Sequence, residues 1–351
     1  VLAPPPVAEA HGCQLFARKP TGRLQGLTRP LRPESRGADG AINDRNLKEL
    51  TLQPVVERAC FRSGLWCRIV TIGEGSAAAR AFVASVAREQ QPLAAARTEQ
   101  VQARLERVLA ALAAERVGTQ HFASLTGYGH GDQGREVVDR VFARVLGAEA
   151  AAVRMQFVSG THAIAAALFG VLRPGDRLLS ITGRPYDTLE EVIGLRDPGQ
   201  GSLAEFGVSY DEIELTADGS VDVDAVQRAL ERPCRMVLIQ RSCGYSWRPS
   251  IAVAEIGRLS ALIHARQPEC VVFVDNCYGE LVQEQEPTQV GADLIAGSLI
   301  KNLGGTIAPT GGYVAGRAAL VEQACCRLTA PGIGREGGTG FDLQRLVLQG
   351  L

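Results

Sequence analysis

No stretch of this 351-residue chain approaches the roughly 20 consecutive apolar residues that a membrane-crossing helix needs, so a helical span is not expected. Basic charge is not in surplus either: 37 Lys and Arg stand against 38 Asp and Glu, a formal net charge of −1. Binding to a phosphate backbone wants a concentrated cationic face, so the balance argues against a nucleic-acid partner. No internal repeat is evident. The nine cysteines never fall in the paired C-x-x-C spacing of a zinc site, and an odd number fits poorly with a disulfide framework, so neither a metal site nor a disulfide scaffold is expected. They read as reduced thiols, which points to a cytoplasmic protein. Cys325-Cys326 could form a redox pair, but two small hydrophobes buried on a helix are the simpler account. What remains is ordinary for a globular protein: 46% hydrophobic and 21% charged residues, enough chain for one large core or two smaller ones.

The N-terminal part has a different character. Pro4-Pro5-Pro6 is followed by Arg18, Lys19, Arg23, Arg29, Arg32 and Arg36 with only Glu9 and Glu34 as acids, and no apolar periodicity emerges. Residues 1–90 read as an atypical extension: a tail without fixed structure, or an organelle transit peptide, which is basic and poor in acids. Beginning at Val1 and stopping at Leu351 in mid-pattern, the sequence reads as incomplete at both ends. Gly73 and Gly75 follow a short apolar run, as in a dinucleotide-binding turn. The acid expected about twenty residues further on is missing, so a nicotinamide-dependent oxidoreductase is a weak alternative.

From Arg97 the pattern is helical, with Val101, Leu105, Val108, Leu109 and Leu112 at three- and four-residue steps. A glycine-rich link, 127–135, leads to a second amphipathic helix carrying Val137, Val138, Val141, Phe142, Val145 and Leu146. Strand and helix then alternate: strands at 151–158, 177–181, 208–215, 236–240 and 271–274, helices at 161–172, 188–195, 223–230 and 253–265. Apolar strands separated by helices predict an α/β fold, a mostly parallel sheet between two helical layers.

Chemistry concentrates in four places. Lys301 lies among Leu299, Ile300 and Leu303, company that disfavours an ammonium unless it is paired or neutral. A neutral lysine amine attacks aldehydes, the chemistry of pyridoxal 5'-phosphate (PLP) enzymes. Ser159-Gly160-Thr161 sits at a strand-to-helix junction, where unpaired N–H groups can receive a phosphate, although Ser159 or Thr161 as a plain helix cap explains it too. Asp275 follows the most apolar strand, at the strand end where α/β sheets bind ligands, and could hold a pyridinium nitrogen protonated. Tyr186 is placed to stack on a flat ring, and Tyr278 to donate to the cofactor's phenolic oxygen; packing roles compete with both.

Seen together, these segments resemble the fold-type I PLP enzymes of cysteine and methionine metabolism, most closely the branch known as methionine gamma-lyase-like or aluminium resistance proteins. The likeness runs through V-S-G-T-H-A (158–163), L-L-S-I-T-G-R-P-Y-D-T-L-E-E-V-I-G (178–194), Q-R-S-C-G-Y-S-W-R-P-S (240–250), V-D-N-C-Y-G-E (274–280), G-S-L-I-K-N-L-G-G (297–305) and A-P-T-G-G-Y (308–313). It implies the PLP transferase-like fold, with a large cofactor domain at 91–325 and the start of a small C-terminal domain, largely missing, at 326–351. It implies that Lys301 binds PLP as an imine and that Asp275 pairs with the ring nitrogen. Ser159, Gly160, Thr161 and Ser298 would hold the phosphate, with Tyr186 against the ring as Lys301's catalytic companion. Tyr128 and Arg135 would reach the phosphate of a neighbouring subunit in a homodimer or homotetramer. Ile300 stands where the broader family has threonine. The expected activity is a carbon–sulfur lyase acting on a small sulfur-containing amino acid, with a PLP-binding protein lacking turnover as the rival. Arg241 and Arg248 could meet a substrate carboxylate, but bracing their loop is the favoured role.

Overall fold

The structure, a computed structural model, describes residues 77–351. The chain divides into two units, Val1–Val86 and Ala87–Leu351, and every described strand belongs to the second. The basic N-terminal stretch and the Gly73–Gly75 turn lie outside the described residues.

Helices α1 (Ala77–Ala114) and α2 (Gln133–Leu146) precede β1 (Ala150–Arg154). Then come α3 (Gly160–Val171), β2 (Arg177–Ser180), α4 (Asp187–Ile193), β3 (Ser209–Glu212), α5 (Val223–Ala229), β4 (Met236–Gln240), α6 (Val253–Arg266) and β5 (Val271–Asp275). The chain continues through β6 (Leu294–Ser298), β7 (Gly312–Gly316), α7 (Ala318–Leu328) and α8 (Gln344–Gly350). The strands form one sheet in the order β1-β7-β6-β5-β4-β2-β3. Pairing is parallel from β6 across to β3, and β7 runs antiparallel to both β6 and β1.

Alternate residues of each central strand enter two separate cores, because successive side chains of a strand point to opposite faces. Val237, Ile239, Val272, Val274 and Ile295 face one core with Phe142 of α2 and Ile256, Leu259 and Ile263 of α6. Met236, Leu238, Phe273, Leu294 and Ala296 face the other with Ile164 and Leu168 of α3 and Val321 of α7. The sheet is thus covered on both faces, the three-layer α/β/α arrangement expected. Burial on both sides is what keeps β4, β5 and β6 apolar at nearly every position.

Several expectations need correction. The glycine-rich link stops at Asp132, which caps α2 by accepting from the Arg135 amide (2.9 Å), so Gly134 and Arg135 belong to a helix. Gly134 is needed there because a Cβ would lie 2.3 Å from the His121 carbonyl oxygen. The apolar stripe of α1 is mostly outside the core: Val101, Leu105 and Leu109 are exposed, and only Val108 is buried. The first strand ends at Arg154, whose guanidinium is buried against Asp139 (2.6 Å). The pattern does not mark β6 and β7, since Leu-Ile-Ala-Gly-Ser and Gly-Tyr-Val-Ala-Gly are short and contain the glycines that usually weaken strands. Of the two adjacent cysteines, only Cys325 is fully buried.

Candidate active site

Register brings three strand ends level. Gln240 of β4 pairs with Asp275 of β5, and Asp275 with Ala296 of β6. Beyond these carboxyl ends opens a cleft of about 340 Å³ lined by Ser159, Gly160, Thr161, Tyr186, Asp275, Tyr278, Ser298 and Lys301. Eight of the ten expected site residues are therefore collected in one cavity. Cys277, Gln240, Thr188, Ser242, Tyr245 and Ile300 also line it. Sequence reasoning passed over Gln240, although its place at a strand end marks it as readily as Asp275 is marked.

The floor is the start of α3. Ser159 has extended backbone and its Oγ accepts from the His162 amide (3.0 Å), an N-cap bond that leaves the Gly160 and Thr161 amides without intrahelical partners. The cap bond leaves those amides open to the cleft, so capping by Ser159 does not exclude an anion there. Gly160 lets α3 approach β6, because a Cβ there would stand 2.9 Å from the Ser298 Cβ and 3.4 Å from Cys277 Sγ. His162 caps its own turn: Nδ1 accepts from the Val158 amide (3.3 Å), its ring meets the Phe157 edge, and burial lowers its pKa. Thr161 Oγ1 lies 3.1 Å from the Tyr186 hydroxyl and 3.4 Å from Thr188 Oγ1.

Tyr186 starts α4, with its amide donating to Gln240 Oε1 (3.2 Å). Burial, helped by the Asp275 charge, raises its hydroxyl pKa well above the usual tyrosine value, so it is a donor at neutral pH. Asp275 is 3% exposed and accepts from the Cys277 amide (3.1 Å). Burial pushes its pKa up, against the pull of the Cys277 bond and of Lys301.

Lys301 departs from the sequence argument. Leu299 and Leu303 turn into the core while Ile300 is exposed, so the lysine's apolar neighbours point away and its side chain is only half-buried in the cleft. Its Nζ lies 4.1 Å from the centre of the Tyr278 ring. Burial disfavours the ammonium, yet Cys277, Tyr278 and Asp275 outweigh it and raise the pKa above an ordinary lysine's. That balance favours the protonated amine, whereas its neighbours in sequence suggest a neutral one. Lys301 is also the only lysine among the described residues.

Tyr128 and Arg135 lie outside this cleft. Tyr128 is 83% exposed and stacks on His130, whereas Arg135 is buried and donates to the Gly338 carbonyl (2.7 Å). Arg241 and Arg248 are braces: Arg241 donates to Asn276 Oδ1 (2.7 Å) and Gln283 Oε1 (3.0 Å), and Arg248 to the Gln240 and Ser242 carbonyls. Among the described residues no three His, Cys, Asp or Glu side chains gather as a metal site, and no helix is long and apolar enough to cross a membrane.

A doubly covered sheet with a helix N-terminus, a strand-end aspartate and a lysine around one cleft defines the large domain of the fold-type I class. The chain belongs to the methionine gamma-lyase family, whose model matches residues 80–351. The Bacillus subtilis protein YnbB is 50% identical over 242 residues, 68% of this chain and 58% of its own. The L-methionine gamma-lyase of Pseudomonas putida is 29% identical over 184 residues, 52% of this chain and 41% of that protein. A solved carbon–sulfur lyase involved in aluminium resistance, from Clostridium novyi, superposes with a TM-score of 0.73 at 44% identity, covering 76% of this chain and 64% of that one. The chain spans between half and three fifths of the length of the first curated relatives it matches.

Proposed function

We propose that this chain is the cofactor-binding part of a PLP-dependent carbon–sulfur lyase that cleaves a cystathionine-, cysteine- or methionine-type amino acid by β- or γ-elimination. The observation that carries the reading is Lys301, the only lysine among the described residues, set in one cleft with a buried aspartate and the open N-terminus of α3. The names of the Pseudomonas and Clostridium relatives agree with it.

The residues suit the cofactor. Asp275 is a buried carboxyl whose hydrogen bonds come from Cys277 and not from a cation, so it gains from a cationic ring nitrogen. The Gly160 and Thr161 amides and the Ser159, Thr161 and Ser298 hydroxyls suit a phosphate. Ile300 supplies its backbone amide to Ser298 Oγ (3.3 Å), so threonine's absence leaves the serine hydroxyl oriented. When bound, PLP supplies an aldehyde for a lysine amine and an electron-poor ring that takes up charge from the substrate's Cα. Lys301 Nζ, in its deprotonated form, would be the base that takes the Cα proton. Tyr186 walls the cleft with its proton retained. The assembly is a homodimer or homotetramer in which Tyr128 approaches a neighbour's phosphate from its exposed position; Arg135 does so only after releasing the Gly338 carbonyl.

An absorbance spectrum with PLP tests the reading. A visible band that borohydride abolishes and that Lys301→Ala lacks is expected, with keto acid released from at least one of cystathionine, cysteine and methionine. No band in the unmodified protein refutes it. A band without keto acid favours binding without turnover.

A further inference from the structure

Five residues past Asp275 lies a second buried carboxyl, which the proposed chemistry does not use. Glu280 is 1% exposed. Its Oε1 accepts from the Tyr313 hydroxyl of β7 (2.8 Å), and its Oε2 is buried without a partner. Gly297 of β6 leaves the room, since a Cβ there would lie 2.6 Å from Glu280 Oε1. The charged and titratable groups around it are Tyr313 from β7, Asp275 and Cys277 from the end of β5, Glu286, and Arg241 from beyond β4. Neither arginine of this region bonds Glu280: Arg241 (3.8 Å) and Arg107 of α1 (3.3 Å) both turn to Glu286. A buried carboxylate without a cation is costly, and a neutral acid in that place costs less.

The loop that carries Glu280 also holds the lysine. Asn302, next after Lys301, donates its Nδ2 to the backbone carbonyls of Tyr278 (3.1 Å) and Glu280 (3.0 Å). Tyr278 and Leu281 have φ of +67° and +59°, left-handed values that non-glycine residues keep only when their surroundings fix them. One such fixture is the Leu281 amide on Glu286 Oε1 (2.8 Å); the other is the buried Glu280 side chain between them.

We propose that Glu280 works as a neutral carboxylic acid, a positioning residue that clamps the 276–281 loop to β7 through Tyr313 and thereby sets where Tyr278 and Lys301 stand. Burial, with Glu286 and Asp275 nearby, pushes its pKa to about 8, against the pull of its own amide and Tyr313. Because the folded value is raised above the ordinary 4.5, the stability tied to the neutral acid is complete below about pH 4.5. It is lost progressively up to about pH 8 and changes no further above it.

The test is equilibrium unfolding of the full chain from pH 5 to 9.5 without added PLP, so that its outcome is independent of the lyase reading. Relative to Glu280→Gln, the wild-type unfolding constant should rise about tenfold per pH unit up to about pH 8 and then run parallel. Tyr313→Phe should move the end of that window upward, because the hydroxyl favours the ionised form. Reductive methylation of Lys301, with Lys19 and Lys48 as internal references, should proceed at pH 6 as in wild type for the Gln variant and several-fold faster for Glu280→Ala. A wild-type-to-Gln difference that does not vary with pH, or equal Lys301 labelling in the Gln and Ala variants, would overturn the proposal. Should the Gln variant not fold, Tyr313→Phe decides alone, and an unmoved pH window refutes the clamp.

Discussion

Asp275 and Glu280 lie five positions apart on one stretch of chain, both almost wholly buried and both pushed toward the neutral acid by burial. They differ in what each faces. Asp275 opens onto a cavity and takes its hydrogen bonds from Cys277, so its missing partner must come from outside. Glu280 is closed off inside the fold against a tyrosine, with no cation bonded to it, so burial leaves its own proton to neutralise it. Burial alone does not separate a binding group from a structural one; the direction from which the compensating charge or hydrogen bond arrives does.

The largest effect should come from emptying the cleft of its amine. Lys301→Ala should lower lyase turnover by on the order of 10²–10⁴-fold and abolish the borohydride-sensitive band, with melting temperature little changed; keto-acid assays and spectra check this. Neutralising the two carboxyls separates them next. Asp275→Asn should weaken PLP binding about 10–100-fold, the scale of a hydrogen bond to a charged group, while the unliganded protein becomes more stable above pH 4 or so, since its raised carboxyl no longer has to be kept neutral. Glu280→Gln should leave PLP affinity at pH 6 within about threefold, less than one ordinary hydrogen bond. If both variants lose affinity alike, the distinction between the two sites fails.

Smaller effects sharpen the cleft itself. Gly160→Ala forces a methyl to 2.9 Å from the Ser298 Cβ and should destabilise by about 1–3 kcal/mol, with inorganic phosphate binding reduced in calorimetry. Tyr186→Phe removes the hydroxyl bonded to Thr161 (3.1 Å); a loss of about 0.5–1.5 kcal/mol in unfolding experiments is expected, while the ring still walls the cleft.

Much of this was legible in the residues. The β4 strand, 236–240, matches its expected bounds, and α3, α5 and α6 fall within a residue of theirs. β4 is a nearly unbroken apolar run, α3 and α5 begin at side-chain caps, and α6 carries a clear amphipathic period. Asp275 and the Ser159–Thr161 turn were readable because a strand end and a helix start are local features. Lys301 was found by an argument the fold does not support, since its apolar neighbours belong to the core and the amine to the cleft. Its rarity is the sounder signal: the chain has three lysines, at 19, 48 and 301. What sequence did not disclose depends on distant pairing. The glycines of β6 and β7 disguise two strands that become regular only when hydrogen-bonded to each other and to their neighbours. Glu280 acquires its meaning from Tyr313 of β7, thirty-three positions away, a contact that no local pattern marks.

Lys301 is the proposed cofactor anchor, and the scarcity of lysine makes that directly measurable. The protein is incubated with PLP, reduced with borohydride, digested, and its three lysine-containing peptides are weighed. One pyridoxyl adduct on the peptide carrying Lys301, with Lys19 and Lys48 unmodified, is the predicted result; an adduct confined to Lys19 or Lys48, or none at all, would contradict it.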